Sequence, residues 1–335
     1  MKEFQLISEV LDDGEAITQI KVPKDETLLS IHAKHYCQGK LVTDREVKVL
    51  KQEVQDDCLL LDIEPCHTVY WDEENFINIP MTLDYTIPGM TMNKRICRKG
   101  VDDFQKGEKH HLQYRLYIPT CTCQQHPLII WLHGAGEGGH SNETQITGNR
   151  GGVAFLKYQD LFGGAYILAP QCPDYWMDSL TLGNLSLKGK DYTPQLVALI
   201  EDIIHEHQDI DTSRIYIGGC SMGGYQTWKT ILYKPELFSA AFPICSAYKP
   251  TREDVKKVQH MPIWLTHARQ DDIVPVTNSQ TAYRYLKELN SPVTYSEYED
   301  VVYQGVRYFP HGVWVYVLNN DPVCNGEHIM NWLAK

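Results

Sequence analysis

Two patterns of hydrophobic positions divide the chain. Up to about residue 105, short apolar and β-branched runs alternate with turn-forming residues, and no convincing amphipathic helical pattern stands between them. The runs are Ala16–Val22, Leu28–Ala33, Glu46–Leu50, Leu59–Ile63 and Phe76–Leu83. This spacing predicts a small all-β, immunoglobulin-like sandwich over residues 1–105.

From Leu112 the pattern becomes an alternation of strands and helices. The predicted strands are Leu112–Ile118, Pro127–His133, Ala165–Pro170, Arg214–Gly218, Ala240–Cys245, Pro262–His267 and Val293–Tyr298. The predicted helices are Thr193–His207, Met222–Tyr233, Ser279–Leu289 and Glu327–Ala334. The alternation predicts an α/β domain over residues 106–335, with a mostly parallel sheet flanked by helices.

Charge and composition narrow the class of partner. The 335 residues carry a formal net charge of −12, which disfavours nucleic acid as a partner. The first residues have no apolar secretory core, and the longest apolar runs are too short to span a bilayer. We therefore expect a soluble, cytoplasmic protein without a membrane partner.

The ten cysteines are scattered along the chain, and several stand inside apolar runs. Cys121 and Cys123 form the only close pair, and no second pair stands at zinc-binding spacing. We interpret the cysteines as buried small side chains and expect neither a metal nor a cofactor.

One motif points to nucleophilic catalysis. The sequence Gly219-Cys220-Ser221-Met222-Gly223 follows a β-type run and precedes a helical pattern, which is the setting of a nucleophile elbow. The small residues allow strand and helix to approach, and the turn exposes the serine hydroxyl at the end of the strand. Ser221 is therefore the candidate nucleophile. The alternative interpretation is an ordinary glycine-rich turn.

A second glycine-rich turn supplies candidate oxyanion donors. His133-Gly134-Ala135-Gly136-Glu137 follows the apolar strand directly. Backbone N–H groups must reach a developing oxyanion without side-chain obstruction, so the amides of Ala135 and Met222 are the candidates. A phosphate-binding loop is the competing interpretation, but no Gly-Lys-Ser/Thr follows. His133 is interpreted as structural.

These motifs resemble one group of enzymes. The His-Gly-Ala-Gly-Glu turn, Ala169-Pro-Gln-Cys-Pro173 and the Asp211–Tyr225 stretch are similar to single-domain esterases related to prolyl oligopeptidase, polyhydroxybutyrate-depolymerase-like enzymes and feruloyl esterases. The resemblance covers roughly residues 110–335 and implies the α/β-hydrolase fold. An N-terminal sandwich before such a domain resembles, more loosely, a bacterial esterase subgroup with an immunoglobulin-like domain.

The resemblance also implies the acid and supports the base. His267-Ala268-Arg-Gln-Asp271-Asp272-Ile-Val-Pro275 is similar to the family pattern His-Gly-x-x-Asp-x-x-Val-Pro, with Ala268 in place of glycine, so Asp271 matches the acid and Asp272 is the alternative. His311 follows the last predicted strand in a Pro/Gly loop, where a general base belongs in the Ser–Asp–His order. Its His-x-x-Trp spacing resembles the family, although Pro310 replaces the usual glycine.

These residues predict a serine carboxylesterase that hydrolyses short-acyl or aryl esters, including acetyl, hydroxycinnamoyl and oligosaccharide-linked esters, through an acyl-enzyme. The long connection 172–192, with Trp176, and the residue Trp314 are candidates for the acyl pocket wall, with simple packing as the alternative.

The same triad would serve a serine peptidase of the prolyl oligopeptidase type. A non-enzymatic binding protein is the rival from another class. The N-terminal domain could cap the site or mediate homo-oligomer formation.

Overall fold

The computed structural model of the chain describes residues 2–24, 30–75, 77–121, 125–177, 179–182 and 185–335. The chain folds into two compact units. One comprises Met1–Asp103 with Thr147–Arg150, and the other comprises Phe104–Ile146 with Gly151–Lys335.

The described residues of the first unit up to Asp103 form strands and turns. The strands are β1 Lys2–Leu11, β2 Gly14–Pro23, β3 His32–Cys37, β4 Lys40–Glu46, β5 Val49–Gln55, β6 Cys58–His67, β7 Val69–Asp72, β8 Ile77–Pro80, β9 Thr82–Thr86, β10 Met90–Met92 and β11 Cys97–Arg98. One sheet has the order β10-β1-β2-β6-β5, with β11 also pairing β1. A second sheet has the order β4-β3-β9, and β7 and β8 form a hairpin.

Both sheets contribute side chains to one hydrophobic core. Alternate residues of each strand point to the same face, so one face can be apolar while the other stays polar. The strand β3 shows this alternation, with every second residue buried. The buried core includes Phe4, Leu6, Ile17, Ile20 and Leu61 from the first sheet and Ala33 and Tyr85 from the second.

The sequence pattern located some of these strands and missed others. Ala16–Val22 lies within β2, and Leu59–Ile63 lies within β6. The single strand predicted at Glu46–Leu50 is wrong, because β4 ends at Glu46 and β5 begins at Val49. Between them the Val47 N–H bonds to the Ile31 carbonyl, while the Lys48 carbonyl accepts from the Glu64 N–H near the end of β6. The chain changes sheets at this point. Residues 28, 29 and 76 of two other predicted runs lie outside the described residues.

The second unit is built on a sheet of eight described strands. They are β12 Gln105–Lys109, β13 Leu112–Tyr117, β14 His126–Leu132, β15 Tyr166–Gln171, β18 Ile210–Cys220, β19 Ala240–Ile244, β20 Ile263–Ala268 and β21 Val293–Tyr298. Their order is β12-β13-β15-β14-β18-β19-β20-β21. The first two pairings are antiparallel and the remaining ones are parallel, which confirms the predicted mostly parallel sheet.

Helices and short hairpins complete this unit. The helices are α1 Thr144–Thr147, whose last residue is counted with the first unit, α2 Gln159–Phe162, α3 Thr193–Glu206, α4 Met222–Tyr233, α5 Arg252–Lys257, α6 Thr277–Glu288, α7 Trp314–Leu318 and α8 Ile329–Leu333. The hairpins are β16 Ser179–Leu182 with β17 Leu185–Lys188, β22 Val302–Tyr303 with β23 Val306–Arg307, and β24 Val323–Cys324 with β25 Glu327–His328. All seven residues of β14 are buried, as a strand covered on both faces requires.

The predicted elements of this unit are largely confirmed. Both α4 and β21 have the predicted bounds. The strand β12 was missed because its five residues, Gln-Lys-Gly-Glu-Lys, are polar or glycine. The closing helix was predicted to start at Glu327, but Glu327–His328 pairs with Val323–Cys324 and the helix begins at Ile329.

Parallel strands place their carboxyl ends on one edge of the sheet. Ser221 directly follows β18, Cys245 directly follows β19, and Asp271 comes three residues after β20. His311 follows β21 by a longer connection that contains the β22–β23 hairpin. In open parallel sheets this edge is where ligands bind.

Within the described part of the chain, no helix combines the length and the apolar character that crossing a bilayer requires.

A buried ion pair in the first unit gives a test of its stability. The Glu15 carboxylate accepts from both Arg98 Nε and Nη2, at 2.8 and 2.7 Å, and from the hydroxyls of Ser8 and Thr68. Its side chain is 3% exposed. Burial alone would raise the pKa of Glu15, but these bonds, led by that from Arg98, lower it. The carboxylate is therefore charged in the fold.

We expect Arg98→Met to lower the free energy of unfolding by about 3 kcal/mol, because it leaves a buried charge without its partner. Urea denaturation followed by circular dichroism measures this loss. The exposed Arg95, replaced in the same way, is the matched control. Equal losses in the two variants would show that the pair is dispensable.

Candidate active site

The backbone at Ser221 is strained and firmly held. Its φ of 57° and ψ of −114° lie where a side-chain-bearing residue is rarely found. The Ser221 N–H donates to the Ile244 carbonyl at 2.9 Å, and the Ser221 carbonyl accepts from the N–H groups of Tyr225 and Ala247. These bonds fix the turn between β18 and α4, at the position where the sequence predicts a nucleophile elbow.

Two glycines make this turn possible. A Cβ on Gly219 would stand 2.3 Å from the Leu132 carbonyl oxygen, and a Cβ on Gly223 would stand 2.0 Å from the same atom. Both distances are too short for any side chain, and the obstacle is backbone. Glycine is therefore required at both positions of the motif because α4 and β18 lie so close to the end of β14.

The turn after β14 lies beside the elbow because of the sheet register. Leu132 of β14 lies opposite Gly219 of β18 in the parallel pairing. Ala135 begins a short 3₁₀ helix and Met222 begins α4. The first N–H groups of a helix have no acceptor within it, so neither amide bonds inside its own helical segment. The buried Glu137 carboxylate accepts the Gly134 N–H at 2.7 Å and stiffens this turn.

His133 ties the same turn to the neighbouring strand β15. The Cys172 N–H donates to His133 Nε2 at 3.0 Å, so the ring proton is on Nδ1, which donates to the Gly134 carbonyl at 2.7 Å. Complete burial lowers the pKa of His133 to about 4, against a smaller opposing effect of the bond to Gly134. The imidazole is therefore neutral at physiological pH and positions the backbone.

Asp271 is a buried carboxylate with four donors. Its Oδ2 receives bonds from His311 Nδ1 at 2.7 Å and from His267 Nε2 at 3.1 Å. Its Oδ1 receives the N–H groups of Ile273 and Val274. Burial raises the pKa of Asp271, but the bonds from His267 and His311 outweigh this and hold it well below its usual range. The group is a permanent anion in the fold.

His311 is the imidazole that this anion orients. Its side chain is 6% exposed, and the bond from Nδ1 to Asp271 leaves Nε2 as the free ring nitrogen. Trp314 packs edge-on against the ring with centroids 5.6 Å apart, and Phe309 lies 6.2 Å away. Asp272, the alternative acid, is exposed.

A thiol links the elbow to the Asp271–His311 pair. The Sγ of Cys245, an oxygen of Asp271 and a ring nitrogen of His311 lie within 4.8 Å of one another. Burial raises the pKa of this thiol, the nearby Asp271 carboxylate raises it further, and the Ser221 backbone partly offsets the rise. The sequence pattern predicts only a buried small side chain at Cys245. Its position directly after a parallel strand was the signal that it would reach the site.

The remaining predicted residues occupy different surroundings. Trp176 is 1% exposed, its backbone N–H donates to Met222 Sδ at 3.2 Å, and its ring packs against His133. Trp314 is half-buried and contacts Phe309 as well as His311. His267, interpreted from sequence as structural, is fully buried; its Nε2 donates to Asp271, and its Nδ1 lies 2.8 Å from Ser279 Oγ.

Comparison with known proteins identifies the class. Residues 117–307 match the phospholipase/carboxylesterase family. The crystal structure of a thermostable esterase superposes with a TM-score of 0.80 at 27% identity, covering 95% of this chain and 96% of that one. A ferulic acid esterase superposes with a TM-score of 0.48 at 10% identity, covering 69% of this chain and 96% of that one. Acylaminoacyl peptidase of Pyrococcus horikoshii superposes with a TM-score of 0.44 at 19% identity, covering 64% of this chain and 39% of that one.

The second unit thus has the α/β-hydrolase fold, and the protein is a serine hydrolase of carboxylic ester bonds. The chain belongs to the phospholipase/carboxylesterase family.

Gly223→Ala tests whether the elbow depends on the close approach to Leu132. We expect the free energy of unfolding to fall by about 3 kcal/mol and kcat/KM for ester hydrolysis to fall about 100-fold, because the helix must move away from β14. Gly152→Ala is the control, since the nearest atoms there are 3.5 Å from the new methyl group. Full activity of Gly223→Ala would contradict this account.

His133 should make stability depend on pH. Its folded pKa of about 4 lies below the ordinary value of 6.5, so between these values the unfolded chain binds a proton that the folded chain does not. The folded state therefore has its full stability with respect to His133 above pH 6.5, and it loses stability as the pH falls towards 4. Denaturation curves should show wild type losing about 3 kcal/mol more than His133→Gln over this range. Equal losses of stability in wild type and His133→Gln would refute the low pKa assigned to His133.

Proposed function

We propose that this protein is a carboxylesterase that uses a Ser221–Asp271–His311 triad and a covalent acyl-enzyme. The observation that carries the proposal is the 2.7 Å bond from His311 to a buried, ionised Asp271 on the sheet edge where the strained Ser221 turn stands. An oriented imidazole beside a serine on such a turn is the arrangement that activates a hydroxyl.

In the proposed mechanism His311 Nε2 removes the proton of Ser221 as Oγ attacks the ester carbonyl carbon. Asp271 keeps the other ring proton on Nδ1 and stabilises the imidazolium that forms. The imidazolium then protonates the leaving alcohol, and an acyl group remains on Ser221. Water, deprotonated by His311, attacks this acyl group and releases the carboxylic acid.

The amides of Ala135 and Met222 are the proposed oxyanion donors. Each is the first residue of a helical segment, and the register of β14 and β18 brings both segments to Ser221. Backbone donors held in this way need no reorganisation when charge develops on the carbonyl oxygen. The bonds of Glu137 and His133 to the Gly134 backbone support their rigidity.

The proposed substrates are soluble esters with a short acyl or an aryl group, including oligosaccharide-linked esters. The aromatic side chains of Phe309 and Trp314 beside His311 support this class, since they offer flat apolar surface at the site of chemistry. Trp176 is a further residue proposed for the acyl pocket. The segment Arg252–Lys257, where many lipases carry an apolar lid, is a short polar helix, which favours soluble substrates over lipid aggregates.

We further propose a cytoplasmic, reducing compartment and an immunoglobulin-like identity for the first unit. Nine of the ten cysteines are described, and each is a free thiol, which supports the compartment. Two sheets that share one core support the sandwich.

Ser221→Ala should abolish turnover. We expect kcat for p-nitrophenyl acetate, p-nitrophenyl butyrate and methyl ferulate to fall roughly 10⁵-fold, because no other group accepts the acyl chain. A fluorophosphonate probe should label wild type at Ser221 and leave Ser221→Ala unlabelled. The exposed Ser213, replaced by alanine, is the control. Equal hydrolysis by wild type and Ser221→Ala would overturn the proposal.

Asp271→Asn should keep the fold of the site but present the wrong imidazole tautomer, lowering kcat roughly 10⁴-fold. Asp272→Asn should leave kcat within about twofold of wild type, in keeping with its exposed position. A larger loss in Asp272→Asn would exchange their roles. Faster cleavage of a prolyl p-nitroanilide than of the matching ester would assign the triad to a peptidase.

A further inference from the structure

Cys245 lies beside the proposed triad but takes no part in its chemistry. It follows β19 with a φ of 37°, and its N–H donates to the Thr266 carbonyl at 2.8 Å. The side chain has no exposed surface. The thiol lies close to Asp271 and His311.

The three side chains offer the ligand atoms of a soft metal site. Sulfur, imidazole nitrogen and carboxylate oxygen are the donors that bind Zn²⁺ in proteins, and three protein ligands with one open position form the usual accessible site. Here the three donor atoms lie within 4.8 Å of one another. Bond lengths of about 2.3 Å to sulfur and 2.0 Å to nitrogen require donors roughly 3.5 Å apart, so small rotations would complete the site.

Among the described residues this is the one trio of such side chains in which donor atoms come so close. All three are nearly or fully buried, with side-chain exposure of 6% for His311 and 0% for Asp271. The group therefore differs from an exposed acidic cluster, which water and salt would satisfy.

We propose that Cys245, Asp271 and His311 form an inhibitory site for a soft divalent cation, Zn²⁺ or Cd²⁺. The thiol gives its proton to solvent and binds as thiolate. His311 binds as the neutral imidazole through one nitrogen and keeps its single proton on the other, and Asp271 binds as the carboxylate it already is. No electron is transferred.

The ion and the esterase reaction use the same imidazole and the same carboxylate. A bound cation occupies the groups that would otherwise take the Ser221 proton, so binding and turnover exclude each other. The inhibition readout thus rests on the proposed function, whereas the site itself does not require Ser221.

Inhibition is measured with ZnCl₂ on wild type, Cys245→Ala and Cys37→Ala in a non-chelating buffer with a phosphine reductant. Cys37 is the matched control, since it is another buried thiol and belongs to the first unit. We expect Cys245→Ala to raise the half-inhibitory Zn²⁺ concentration at least tenfold, since losing even an outer partner of a metal ligand costs roughly 10–100-fold in affinity. Cys37→Ala should match wild type, and EDTA should restore activity. Unchanged inhibition of Cys245→Ala would overturn the proposal.

A second measurement separates the site from the esterase mechanism. Cd²⁺ is titrated into Ser221→Ala and into Ser221→Ala with Cys245→Ser, and the thiolate-to-cadmium charge-transfer absorption is recorded. The exposed Cys97 and Cys121 contribute the same background to both proteins. The difference spectrum should show one ion per chain bound through Cys245. A band with no esterase activity in wild type would uphold the site and refute the proposed function. If the difference band is absent, the metal site is refuted and the proposed function is unaffected.

Discussion

The close approach of β14, β18 and α4 is the constraint on which the rest of the site depends. Gly219 and Gly223 leave space for the Leu132 carbonyl where any side chain would collide with it. That contact helps to hold Ser221 in a backbone conformation that costs on the order of 1–3 kcal/mol. The packing of the whole sheet maintains this strain at the end of β18, where Ser221 stands.

A second constraint is electrostatic. Asp271 stays ionised in a buried position because four donors, two from imidazoles and two from backbone amides, face its oxygens. Such a charge would be unstable without them. Because Oδ2 is shared by His267 and His311, the fully buried His267 fixes the carboxylate, and the carboxylate in turn fixes His311. Cys245 lies within reach of the same carboxylate, and in our proposal this thiol gives the site its affinity for soft cations.

Local pattern predicted most elements of the second unit. The helix after Ser221 and the strand Val293–Tyr298 have the predicted bounds, because apolar periodicity and turn residues agree there. Two strands were missed for different reasons. The polar β12 carries little intrinsic signal and is held by hydrogen bonds to its partner β13. The strand β1 does bury Phe4, Leu6 and Val10 at alternate positions, but polar residues between them interrupt the apolar run.

The sequence by itself determined the order of the chemical groups, because glycine spacing and the alternation of strands and helices are written in neighbouring residues. It therefore located Ser221 and the turn of Ala135, and it offered Asp271 with Asp272 as alternatives. Only the tertiary structure decided which carboxylate meets His311, because the two aspartates are adjacent in sequence and differ only in burial and direction. The place of Cys245 beside them was likewise decided by the parallel sheet, which gathers strand ends that lie far apart along the chain.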